Sequence, residues 1–112
     1  MANPSKRKGT QFETDVVRYL ADHGFPFAER RALCGTSDKG DVSGIPGVVL
    51  EAKAEKSIDL AGYMDEVKVE TANAHASIGV AVVKRRNRPV GVAYVVMTLE
   101  QFAAMISDEV TP

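Results

Sequence analysis

Between residues 10 and 23 the apolar positions Phe12, Val16, Val17 and Leu20 recur at helical spacing, with Asp15, Arg18 and Asp22 on the opposite side of the wheel. Thr10-Gln11-Phe12-Glu13 reads as a capping box ahead of this stripe and Gly24 as its stop, which predicts a helix over 10–23. Residues 25–32 read as a strand ending in Arg30 and Arg31, and 34–40, rich in Gly, Thr, Ser and Asp, as a loop. Residues 47–54 are apolar and β-branched enough for a buried strand. Ser57 is a candidate N-cap for a helix over 58–74, in which Leu60, Tyr63 or Met64, Val67 and Thr71 mark a buried stripe. The apolar runs 78–83 and 90–97 flank a basic turn and read as a hairpin or two adjacent strands. Thr98-Leu99-Glu100-Gln101 is a second capping box, opening a short helix with Phe102, Met105 and Ile106. The order α-β-β-β-α-β-β-α predicts a mixed α/β domain, a central β-sheet flanked by helices, with the 58–74 helix crossing over the sheet.

At 112 residues the chain suffices for one hydrophobic core and not for two. The expected organisation is a flexible basic N-terminal arm over 1–9, one domain over 10–107 and a tail over 108–112. No apolar run approaches the length of a membrane span, and the polar, basic N-terminus has no apolar segment after it, so the cytoplasm is the expected location, that of a host if the source is viral. The single Cys34 can form no internal disulfide and lacks metal-ligand spacing around it, in keeping with a reducing compartment. The net charge is −1, yet Lys6-Arg7-Lys8, Arg30-Arg31 and Lys84-Arg85-Arg86 with Arg88 hold nine of the fourteen basic residues, and acid is concentrated elsewhere. That distribution allows a basic face on a neutral protein; separately solvated clusters are the alternative.

Candidate chemistry is concentrated in residues 40–53. The strand predicted over 47–54 carries Glu51 and Lys53, which share a face about 6.5 Å apart while Leu50 and Ala52 take the other. The connection Gly44-Ile45-Pro46-Gly47 is short and tightly bending, so the chain can fold back and lay Asp41 beside Glu51. Glu13 falls inside the apolar arc of the first helix. Each has a plainer explanation: Glu13 closing its capping box, Asp41 capping a turn with Asp38 as a competitor, Glu51 and Lys53 forming an exposed pair on an edge strand. Those explanations account poorly for two carboxylates and a lysine gathered inside apolar sequence, because buried charges need partners or a metal. Paired carboxylates are hard oxygen ligands suited to Mg2+, and an adjacent lysine can orient or deprotonate water or stabilise charge on a phosphate, which points to phosphodiester hydrolysis. No zinc pattern or Gly-rich phosphate loop is present; His23 and His75 are isolated, and Tyr63 and Met64 read as core.

Asp41, nine residues, then Glu51-Ala52-Lys53 resembles the bipartite motif of the PD-(D/E)XK nucleases, with Gly40 where that motif often has proline. The wider run of Lys8-Gly9 before a helix carrying Glu13, then Gly24-Phe25, Arg30-Arg31, Gly35-Thr36-Ser37, Asp41 and Glu51-Ala52-Lys53 is similar to the archaeal-type Holliday junction resolvases over roughly residues 6–75. The chain departs from them in a longer, more acidic loop through Asp38-Lys39-Gly40 and in its acidic balance. The resemblance implies a restriction-endonuclease-like fold and a metal-dependent, structure-selective endonuclease that acts as a homodimer on four-way DNA junctions. Glu13, Asp41 and Glu51 would bind Mg2+, with Mn2+ substituting, and Lys53 would serve catalysis. Lys6, Arg7, Lys8, Arg30 and Arg31 would touch DNA, and so would Lys84, Arg85 and Arg86 of the basic turn. The alternatives are a PD-(D/E)XK nuclease of repair or restriction type acting on duplex or flap DNA, and a non-catalytic DNA-binding module in which Glu51 and Lys53 only pair.

Overall fold

The computed structural model of the chain describes residues 4–31 and 39–110. It is a mixed α/β structure with three helices and two small sheets. The first helix, α1 (Pro4–Asp22), begins six residues before the expected capping box. Proline at the first helical position has no N–H to leave unsatisfied and a φ already suited to the helix, and the Lys and Arg that follow are good helix formers. The backbone of Lys6, Arg7 and Lys8 is therefore helical, while their side chains, and all of Cys34 and Asp38, lie outside the described residues. Thr10 is an interior position whose carbonyl accepts from Thr14 Oγ1 at 3.0 Å, so Glu13 closes no capping box. At the other end the Phe25 N–H returns to the Leu20 carbonyl at 2.9 Å.

The strand expected over 25–32 is reduced to β1 (Glu29–Arg30), which pairs antiparallel with β2 (Val42–Ser43). Pro26 removes a ladder donor from the first half of that segment, and Phe27 stands 81% exposed. The second sheet has the order β3-β4-β5, from β3 (Val48–Lys53), β4 (Ile78–Val83) and β5 (Tyr94–Val96). β3 and β4 are parallel over six residues, from Val48 opposite Ile78 to Lys53 opposite Val83, and α2 (Leu60–Asn73) makes the crossover between them. Asp59, two residues beyond the expected Ser57, is the N-cap of α2, its carboxylate accepting from the Gly62 N–H at 3.0 Å. β5 pairs antiparallel with β4. It is shorter than the 90–97 run because Pro89 and Gly91 lead into a 3-10 turn at Val90–Val92. The last helix, α3 (Leu99–Val110), starts as its capping box predicts, Gln101 N–H donating to Thr98 Oγ1 at 3.2 Å. No helix among the described residues is long and apolar enough to cross a membrane.

Strand alternation divides the interior in two. Leu50, Val80 and Val82 turn to α1 and pack with Phe12, Val16, Ala28 and Val42. Ala81 and Val83 turn to α2 and pack with Tyr63 and Val67. Each Val, Leu or Phe among them contributes about 1.5–3 kcal/mol by leaving water. Glu51 lies opposite Ala81 and Lys53 opposite Val83, so both charges of β3 sit on the α2 side. Gly79 lets α2 approach this closely: a Cβ there would meet Thr71 Oγ1 and come within 2.8 Å of Val67 Cγ1.

The spacing of α2 from β4 is therefore testable by substitution. Gly79→Ala should lower stability by about 1–3 kcal/mol in urea titration, and adding Thr71→Ala to the same chain should recover a large part of that loss. If Gly79→Ala costs as much in the Thr71→Ala background as in the parent chain, Gly79 does not set the spacing.

Candidate active site

Asp41 is held by backbone and side chain together. Gly40 has φ +94°, a conformation that proline, fixed near −65°, cannot take. This bend brings the Asp41 N–H to the Leu50 carbonyl at 2.9 Å, and the Asp41 carbonyl accepts from the Arg31 N–H at 2.8 Å. The Asp41 carboxylate then accepts from the Ala52 N–H, Oδ2 at 2.8 Å. The short β1-β2 sheet is thus tied to the edge of β3, and one carboxylate lies against the backbone between Glu51 and Lys53.

Glu51 is only 6% exposed. Its Oε1 lies 3.6 Å from Lys53 Nζ, and its Oε2 is buried without a hydrogen-bond donor. Burial pushes its carboxyl up to about 10, helped by the side chain of Glu70 and by the negative fields of Asp41, Glu70 and Glu66. Lys53 Nζ donates to Glu66 Oε2 at 2.7 Å and lies 5.2 Å from the centre of the Tyr63 ring. Burial alone would lower the Lys53 ammonium, but the bond to Glu66 and the fields of Glu51, Glu66 and Glu55 outweigh it and raise it. Tyr63 is core, as its spacing predicts, and its hydroxyl donates to Glu55 Oε2 at 3.0 Å.

Two residues of this cluster carry no signal in an Asp-x(n)-Glu-x-Lys pattern. Glu66 and Glu70 stand one turn apart on α2, and oxygens of Glu51, Glu66 and Glu70 all lie within 4.8 Å of one another. Glu70 is 1% exposed and occupies the third place of the buried series Tyr63, Val67, Glu70. An acid in an apolar helical stripe is the sequence signal that would have found it. Two carboxylate charges at that separation repel by roughly 3 kcal/mol at an effective dielectric of ~20, so the group is suited to hold a proton or a cation.

The other expected site residues lie apart from this group. Glu13 is on α1, whose Phe12 and Val16 pack with Leu50 on the other face of β3, and its Oε1 is 3.7 Å from Arg30 Nε. Arg31, Lys84 and Arg86 are exposed, and Arg85 lies over the Tyr94 ring at 5.0 Å. His23 stacks on Tyr19 at the surface. No protein-family model, curated protein or solved structure matches the chain.

The raised Glu51 carboxyl fixes the sign of a pH dependence. The folded chain binds this proton more tightly than the unfolded chain, whose Glu51 titrates near 4.5. In chelator, stability should therefore fall as pH rises from about 4.5 towards about 10. Urea titrations at several pH values should show that fall, and Glu51→Gln should flatten it. The same slope in both chains would rule out Glu51 as its source.

Proposed function

We propose that the protein is a divalent-metal-dependent endodeoxyribonuclease of the PD-(D/E)XK type, with a restriction-endonuclease-like fold, acting as a homodimer that resolves four-way junctions. The observation that carries this reading is the convergence on β3 of Asp41, Glu51 and Lys53: one carboxylate bonded to the strand between the other two residues, and a buried carboxyl 3.6 Å from an ammonium. The donors fit Mg2+ or Mn2+. They are hard oxygens, and the buried Glu51 Oε2 lacks a donor. Asp41 and Glu51 would hold the ion. When bound, it supplies Lewis-acid polarisation of a phosphate and an acidified water.

The remaining work falls to the chain itself. Lys53 is held as an ammonium by Glu66, which suits it to stabilise charge developing on a phosphate rather than to take a proton. Glu13 steers Arg30 towards the backbone of DNA rather than adding a ligand at β3. Exposed Arg31, Lys84 and Arg86, with the helical Lys6-Arg7-Lys8 segment, serve phosphate contacts, which position DNA without reading its sequence. The edge strand β5 exposes Tyr94 and Val95, and α3 exposes Leu99, Phe102 and Ile106. A two-fold contact there brings two sites to one symmetric junction.

Incubation with Mg2+ and labelled DNA tests the chemistry and its specificity together. A four-way junction should be nicked in preference to a linear duplex of the same sequence. Asp41→Asn, Glu51→Gln and Lys53→Ala should each lose on the order of 10²-fold or more in rate while still binding junction. Near-normal cutting by Glu51→Gln would sink the reading, and equal cutting of junction and duplex would leave a nuclease of repair or restriction type.

The dimer is checked separately by sedimentation at micromolar concentration. The chain should run as a dimer and Phe102→Glu with Ile106→Glu as a folded monomer, since both side chains are half exposed in one protomer. A monomeric parent chain would remove the paired-nick mechanism.

A further inference from the structure

We infer that α2 supplies Glu66 and Glu70 to a divalent-cation site completed by Glu51, on the face of β3 turned away from α1. The inference deepens the nuclease reading, on which it rests for the role of Glu51, but the binding of a cation here can be measured without DNA. Three observations converge. The carboxylate oxygens of Glu51, Glu66 and Glu70 lie within 4.8 Å of one another, and oxygens that share one cation at 2.0–2.6 Å can be no farther apart than about 5 Å. Glu51 is itself more than nine-tenths buried, its carboxylate faces this group, and its Oε2 has no hydrogen-bond donor. Lys53, the ammonium beside this group among the described residues, is committed to Glu66 at 2.7 Å and stands farther off, 3.6 Å, from Glu51.

The elements explain why this set is preorganised. Glu66 and Glu70 are spaced by four on α2 and so lie one above the other on one side of the helix. Gly79 lets α2 close on β4 through Val67 and Thr71, and the parallel register of β3 with β4 sets Glu51 beneath the helix. A buried anion without compensation costs several kcal/mol, and a divalent ion compensates more of three carboxylates than one shared proton does. Glu66 serves both the ion and Lys53, so it couples occupancy of the site to the position of the catalytic ammonium.

The test uses the full chain, Mn2+ and no DNA, with binding followed by calorimetry or by loss of the free Mn2+ electron-spin resonance signal. The parent chain should bind Mn2+ in the micromolar to millimolar range, and Glu66→Gln and Glu70→Gln should each weaken it at least tenfold. Glu100→Gln, an exposed acid on α3, should leave it unchanged. Circular dichroism confirms folding, and Glu66→Gln, at a half-exposed position, keeps the test valid even if Glu70→Gln unfolds. Unchanged Mn2+ affinity in Glu66→Gln, or no binding by the parent chain, would overturn the inference and leave a carboxyl group held by a proton only. Intact Mn2+ binding with no cutting of any DNA would instead count against the nuclease reading and leave the cation site standing.

Discussion

A carboxyl group in the middle of a strand that pairs with an apolar neighbour can be buried only beside something that takes up its charge. Glu51 is in that position, opposite Ala81 and under α2, and the surrounding structure answers to it. Lys53 lies one alternate position along the same strand face. Glu66 holds Lys53, Glu70 closes over Glu51, and Asp41 is pulled to the strand edge by the Ala52 N–H. Removing Glu51 would take away one of the acids that hold Lys53 and the strand carboxyl that Glu70 faces. The apolar packing of Tyr63 and Val67 on Ala81 and Val83 is what forces these groups to stay together.

The sequence makes part of this arrangement legible and hides the rest for physical reasons. Asp41, Glu51 and Lys53 can be read because strand geometry has period two and a short Gly-Pro turn leaves few ways to fold back. Glu70 is hidden because a stripe sought only among apolar residues passes from Val67 to Thr71 and steps over the acid that is more deeply buried than either. The early start of α1 is hidden for a related reason: Lys6-Arg7-Lys8 has the composition of a solvated arm, but Pro4 begins a helix whatever the charge behind it. That one boundary changes the meaning of Glu13, which moves from a cap to the middle of a helix facing Arg30. The 25–32 segment shows the opposite failure, in which aromatic composition is overruled by a single proline.

The two sides of the sheet also divide the labour. On the α1 side the packing is almost wholly apolar, and the charged groups there, Glu13 with Arg30, remain partly exposed at the rim. On the α2 side a smaller apolar cluster shares its space with Glu51, Glu70 and Lys53. The α1 layer packs by apolar contact, and the α2 layer accommodates buried charge at a cost in stability that the apolar packing offsets. β5, which exposes Tyr94 and Val95, forms the edge of the sheet opposite β3 and Asp41.

The parallel crossover has a kinetic meaning as well. β3 and β4 cannot pair through a tight turn, so α2 must form and close before their ladder is complete, and closing it carries Glu70 onto Glu51. Chain folding near neutral pH is then also a proton-uptake reaction: Glu51 is ionised in the unfolded chain and becomes the neutral acid once the helix docks over it.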